Sequence, residues 1–363
     1  MIIGIKRAVA FARAWEAGPK GILERELEIQ RGDRPIPVTL AVPDPPREAC
    51  PAWVVLHGVT RPGRHHPVLV RFLRSLAGTG AVVLVPEIPE WRELYLAPDE
   101  ATATVRASVS YLEDQGLARD GKVGVMGFSL GVPQVLLSAT DPVLRERVAA
   151  VAGFGGYGDL DRTIHFLFRG VHEWEGRTHC LEPDPYGRWI VGGNYLTSIP
   201  GYEGAGDVSQ ALLRLAKAAG DVQVGAWDPR YDGLKEELMG GIHPTRRELF
   251  RAFAPASGSV PSYEKARELV PALAQAARTA VPHSEPLRFL DRIFTPVRLV
   301  HGRGDRLIPF SESLRLAETF PPGADVRAHL TGLFSHSKAD GDAVGIEERL
   351  NFLRILADLL TLI

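Results

Sequence analysis

Five short, predominantly apolar runs constrain this chain more than any other feature: Ala52 to Leu56, Ala81 to Val85, Lys122 to Met126, Arg147 to Ala152 and Val297 to His301. Each is too short for a helix and shows no alternation, which is the pattern of a strand covered on both faces. Segments with helical spacing follow four of them: Pro67 to Ala77, Asp99 to Leu117, Val132 to Ala139 and a stretch near Glu312 to Phe320. The fifth, Arg147 to Ala152, runs into the glycine-rich Gly153 to Gly158. Strands and helices that alternate in this way predict an α/β chain with a mostly parallel, doubly wound sheet. Asp99 is the expected N-cap of its helix and Gly116 lies near its end.

Ahead of these elements, Arg25 to Gln30 and Pro37 to Ala41 alternate and flank Gly32-Asp33, as an edge hairpin would. Met1 to Phe11 reads as a short helix or arm. After Val297, a strand near Asp325 to Leu330 and a helix from Ile346 to Leu362 complete the pattern.

The alternation lapses between about Tyr157 and Asp291, a length at which structureless loops are uncommon. Aromatic segments (Phe166 to Phe168, Tyr186 to Trp189, Tyr195 to Tyr202) and helix-like ones (Ser209 to Ala219, Pro244 to Phe253, Ser262 to Thr279) fill it. The expected division is therefore a core of residues 1–156 and 292–363 interrupted by a mainly helical lid at 157–291.

Gly127-Phe128-Ser129-Leu130-Gly131 stands between an apolar run and a helical one. A serine there can sit on a tight turn above the sheet, because the flanking glycines remove side chains that would collide with strand and helix. A serine hydroxyl is a weak nucleophile at neutral pH and needs a base, which in turn needs an orienting carboxylate. Both occur downstream. His301-Gly302-Arg303-Gly304-Asp305 puts Asp305 beyond the end of one strand, and Leu333-Phe334-Ser335-His336-Ser337 puts His336 beyond the next. Asp325, Asp340 and Asp342 fit the strand-end position less well than Asp305, and His329 falls inside a predicted strand.

These motifs, in this order, resemble the α/β-hydrolase superfamily, with lid-bearing serine esterases as the nearer branch. The resemblance spans nearly the whole chain outside the lid. It implies Ser129 as nucleophile, His336 as general base and then acid, and Asp305 as the carboxylate that orients it. It also implies an oxyanion hole made by the backbone N–H of Leu130 and of Val59, with His57, Gly58, Gly127 and Gly131 as supports. The three-glycine form of the Val59 loop found in hormone-sensitive-lipase-like esterases is absent from His57-Gly58-Val59. The implied activity is carboxylic-ester hydrolysis through an acyl-enzyme. Amidase, peptidase, acyltransferase or perhydrolase chemistry on the same triad, and a hydrolase-like binding protein without turnover, stand as alternatives. A histidine base also implies a rate that falls as pH drops through roughly 6 to 7.

Charge separates the remaining classes. Lys and Arg number 42 against 44 Asp and Glu, so the basic excess of a phosphate-backbone binder is missing and nucleic acid is not an expected partner. Cys50 and Cys180 lack metal-ligand spacing, His65-His66 has no further ligands near it, and neither metal nor cofactor is expected. No run is long and apolar enough to span a bilayer, and the expected compartment is the cytoplasm. The expected partner is a small-molecule ester with an apolar group. Glu87, Glu90 and Trp91 follow a strand end, where they would either line the rim of a pocket or stand in a solvated loop.

Overall fold

The computed structural model describes residues 2–45, 50–333 and 345–363. In chain order, helix α1 (Ile2–Ala17) precedes an antiparallel hairpin of β1 (Ile22–Arg31) and β2 (Arg34–Pro43), turning where Gly32-Asp33 predicted it. Then come β3 (Ala52–Leu56), α2 (Pro67–Ala77), β4 (Val82–Pro86), the short α3 (Pro89–Arg92), α4 (Pro98–Asp114), β5 (Val123–Phe128), α5 (Gly131–Ser138) and β6 (Val148–Phe154). A long stretch follows: α6 (Leu160–Arg169), a small hairpin of β7 (Val171–Trp174) and β8 (Arg177–Cys180), α7 (Pro185–Tyr195), α8 (Gly206–Val222), α9 (Asp232–Gly240), α10 (Arg247–Phe253) and α11 (Tyr263–Ala280). The chain closes with β9 (Val297–Gly302), α12 (Ser311–Thr319), β10 (Val326–Thr331) and α13 (Ile346–Leu359).

Eight strands form one sheet in the order β1-β2-β4-β3-β5-β6-β9-β10. Only the pairings of β1 with β2 and β2 with β4 are antiparallel; the other five are parallel. Alternation along the strands sends side chains to opposite faces. Trp53 and Val55 join a core with Phe11 of α1, Phe72 of α2 and Leu356 of α13, whereas Val54 and Leu56 join one with Val105 of α4 and Val135 of α5. The sheet is thus wrapped on both sides, which is why its central strands carry no polar face.

Two expectations need correction. Asp99 does not cap α4: Pro98 takes the first helical position, where its missing N–H costs nothing, and Ala97 is the cap. Asp99 falls in the first turn, where its charge faces the positive end of the helix. The hairpin β7–β8 was not expected in a helical stretch. Its strands are short and mostly polar, β7 largely half-buried and β8 largely exposed, and the pair turns at Glu175 and Gly176, both with positive φ.

Candidate active site

The parallel register brings the loops of interest to one edge. Leu56 of β3 pairs with Gly127 of β5, so the chain leaves both strands at the same level. Beyond them Gly58 and Ser129 touch: a Cβ added to Gly58 would stand 3.3 Å from Ser129 Cβ. The strand after β3 lies on one side of it and β5 on the other, so this edge is a point where the winding reverses, the usual ligand position in such sheets.

Ser129 has φ of 54°, the left-handed region that costs a side-chain-bearing residue about 1–2 kcal/mol. The turn is held by Ser129 N donating to Phe154 O at 2.9 Å and Val132 N donating to Ser129 O at 3.0 Å. Strain kept at one residue by a surrounding hydrogen-bond frame is a mark of a functional position. The N–H groups of Val59 and Leu130 donate to no protein acceptor among the described residues, and both residues line the same cleft as Ser129.

That cleft opens to solvent and spans about 820 Å³ with the open space at its mouth included. Leu160, Ile164 and Leu167 of α6 and Ile190 and Val191 of α7 supply one apolar wall of it. Tyr157, Tyr186 and Tyr195 add aromatic surface, and burial raises the hydroxyl pKa of each, Tyr195 to about 12, so the rings are neutral walls. Leu307 and Ile308 close the side next to the loop after β9.

Asp305 lies in that loop and is 1% exposed. Its Oδ1 accepts from Leu307 N at 2.9 Å and Ile308 N at 3.0 Å, which fixes the carboxylate and the two cleft residues as one unit. Sequence reading missed the support beneath it. His301, fully buried, donates from Nε2 to Ile308 O at 2.9 Å, pairs through Nδ1 with Ser313 Oγ at 2.7 Å, and stands 3.5 Å from Asp305 Oδ2. No local pattern marks it, because its partners come from the following loop and helix.

His336 lies outside the described residues. The strand that precedes it, β10, ends at Thr331 opposite Gly302, level with the Asp305 loop. Glu348 of α13 holds Gly332 there, accepting from its N–H at 2.7 Å while Arg303 binds its other oxygen at 3.0 Å. Burial pushes the Glu348 carboxyl up, but the bonds from Gly332, Asn351 and Thr331 and the Arg303 charge outweigh it and hold the carboxyl down at about 2. His329 is in β10, as expected, and pairs with Asp358 at 3.0 Å.

Glu87, Glu90 and Trp91 belong neither to the cleft nor to a solvated loop. Glu87 is 3% exposed beside His57, Glu90 pairs with Arg31 at 2.8 Å, and Trp91 is fully buried with its ring edge-on to His57 at 5.6 Å. Their partners lie too far back in sequence for a local reading to find. His65 is exposed, and no cluster of three or more metal-ligating side chains occurs among the described residues. No described helix is long and apolar enough to cross a membrane.

The chain matches no protein-family model and no curated protein. Solved structures do resemble it. A structure from a study of two Rhizomucor miehei esterases aligns with a TM-score of 0.51 at 14% identity, covering 99% of this chain and 90% of that one. The chain has the α/β-hydrolase fold. Two further α/β hydrolases align at lower scores. Est1E from Butyrivibrio proteoclasticus gives 0.47 at 13% identity over 93% of this chain and 98% of its own, and a 2,6-dihydroxy-pseudo-oxynicotine hydrolase gives 0.47 at 20% identity over 96% and 71%. Within the α/β-hydrolase fold of this chain, the long, mainly helical insertion between β6 and β9 supplies α6 and α7 to the cleft wall.

Proposed function

We propose that the protein is a serine hydrolase that cleaves carboxylic esters. Ser129 attacks the ester carbonyl, His336 takes the serine proton and later passes it to the leaving alcohol, and Asp305 orients the imidazole. The Val59 and Leu130 N–H groups receive the negative charge that develops on the carbonyl oxygen. Water then releases the acid from the acyl-enzyme. The observation that carries this reading is Ser129 itself, held with positive φ at a strand-to-helix turn and opening onto an apolar cleft beside two N–H donors.

The apolar wall favours esters with a hydrocarbon or aryl group, and the stretch at 157–291 acts as a lid over them. Among the described residues the cleft lining is apolar, aromatic or hydroxyl-bearing, which favours an uncharged substrate.

The test is labelling with a fluorophosphonate probe beside a chain-length series of chromogenic esters. The wild type is expected to label and turn over, Ser129→Ala to do neither, and Asp305→Asn to keep the fold while losing most turnover through the wrong histidine tautomer. Equal labelling of wild type and Ser129→Ala would end the reading.

A further inference from the structure

Behind the Val59 end of the cleft lies a buried polar cluster that the chemistry above does not use. β3 and β4 pair with Ala52 opposite Val82 and Val54 opposite Leu84, an offset that carries His57 and Glu87 out of the sheet side by side. Their side chains meet, with His57 Nε2 3.0 Å from Glu87 Oε1, and are 1% and 4% exposed.

His57 Nδ1 lies 2.7 Å from Gly58 O. A carbonyl oxygen only accepts, so Nδ1 carries the hydrogen. The C=O and N–H of a trans peptide point in opposite directions. The bond that pins Gly58 C=O therefore aims Val59 N–H away from His57, toward the cleft that Val59 lines.

What holds the ring is Nε2. It accepts from Ile88 N at 3.0 Å in the neutral ring, where Glu87 Oε1, also 3.0 Å away, gains no hydrogen; only a second ring proton, making the imidazolium, lets Nε2 donate to Glu87. In either arrangement Nδ1 remains the donor to Gly58. A ring turned over about its Cβ–Cγ bond would present carbon to both Gly58 O and Glu87, and the peptide would lose its anchor.

Two guanidinium groups stand near Glu87 without hydrogen-bonding to it. Its Oε2 is 3.7 Å from Arg64 and 3.8 Å from Arg92, and Arg64 continues to Thr39 and Glu26 of the edge hairpin. Burial pushes the Glu87 carboxyl up, but the His57 hydrogen bond and the His57, Arg92 and Arg64 charges outweigh it and leave the pKa below the ordinary value. Gly63, at φ of 57°, makes room: a Cβ there would overlap Glu87 Oε1. Buried ionic clusters are seldom more stable than an apolar replacement, so one built this closely around a loop points to a task of alignment.

We propose that Glu87 is a positioning residue of the oxyanion hole, acting through His57 on the Gly58–Val59 peptide. The inference rests on the reading of Val59 as an oxyanion donor. Misaligning such a donor weakens binding of the transition state more than of the substrate.

Steady-state ester hydrolysis by Glu87→Leu, Glu87→Gln and Arg64→Gln tests it, each beside a thermal melt. Glu87→Leu is expected to lower kcat about tenfold or more with KM within about threefold. Glu87→Gln, which can still bond Nε2, is expected to recover most of that loss. Arg64→Gln breaks the same cluster without touching His57, so it is expected to lower the melting temperature and leave kcat within about twofold. If Glu87→Leu does not fold, Glu87→Asp, which withdraws the carboxylate from Nε2 and keeps its charge, is expected to show the same kcat loss. An effect on KM alone, equal kcat losses in the Glu87 and Arg64 variants, or unchanged kcat in an active Glu87→Leu would overturn this inference alone. A wild type that neither labels nor turns over would remove the ester reading and this one with it.

Discussion

Gly127 and Gly131 meet at the turn that carries Ser129: a Cβ on Gly127 would overlap the carbonyl group of Gly131 and stand 2.8 Å from Val132 N. Because the obstacle is backbone, no side-chain movement relieves it. Gly127→Ala is therefore expected to cost about 2–3 kcal/mol and to shift the serine. Chemical denaturation and probe labelling check this together, and a variant as stable and as well labelled as the wild type would show that the turn adapts.

Ser129 separates stability from function in a second way. Glycine enters the left-handed region at little cost, though it adds freedom to the unfolded chain. Ser129→Gly is thus expected to be more stable than wild type by about 0.5–1 kcal/mol and inactive, whereas Ser129→Ala keeps the strain and is inactive with little gain. Equal melting temperatures for the two variants would mean that the positive φ stores no strain.

The turn at Ser129 and the loop at Asp305 were legible in sequence because their signals are local: glycines beside a serine after an apolar run, and an acid just past a strand. The sheet followed from the same kind of signal, five short and mainly apolar runs that need cover on both faces. What sequence could not show are pairings across the chain. Glu312 meets Arg162 from 150 positions away, and His57 meets Glu87 only because two parallel strands share a register. The β7–β8 hairpin escaped because strands such as Val171–Trp174 carry little apolar alternation, leaving only the turn to mark them.

Glu312 ties the insertion to the core. Though only 1% exposed, it accepts from the N–H of Gly158 at 3.1 Å and of Asp159 at 3.0 Å and pairs with Arg162 at 2.6 Å, at the start of α6, a cleft wall. Glu312→Leu would strand two backbone donors, while Arg162, 41% exposed and 3.5 Å from Asp159, keeps water and a second carboxylate, so a loss of about 2 kcal/mol is expected. Because α6 lines the cleft, KM for longer esters should rise more than for acetate esters. Equal shifts across the series would show that Glu312 supports stability without shaping the cleft.

His172 on the β7–β8 hairpin makes that hairpin sensitive to acid. Its ring stacks on His179 at 5.0 Å, meets Phe310 edge-on at 4.8 Å, and its Nδ1 pairs with Ser311 Oγ at 3.0 Å. Burial first, then the charges of His179, His301 and Arg315, hold its pKa down to about 4. An unfolded histidine titrates near ~6.5, so between that pH and about 4 the unfolded chain binds a proton that the folded one refuses. The stabilisation is complete above ~6.5 and is lost as pH falls toward 4; with the ring partly in water it amounts to about 1–2 kcal/mol. Melting temperature should therefore fall between pH 7 and 4.5, and fall less in His172→Phe, which keeps the ring contacts without the titration. Parallel curves for the two proteins would place the acid sensitivity elsewhere in the molecule.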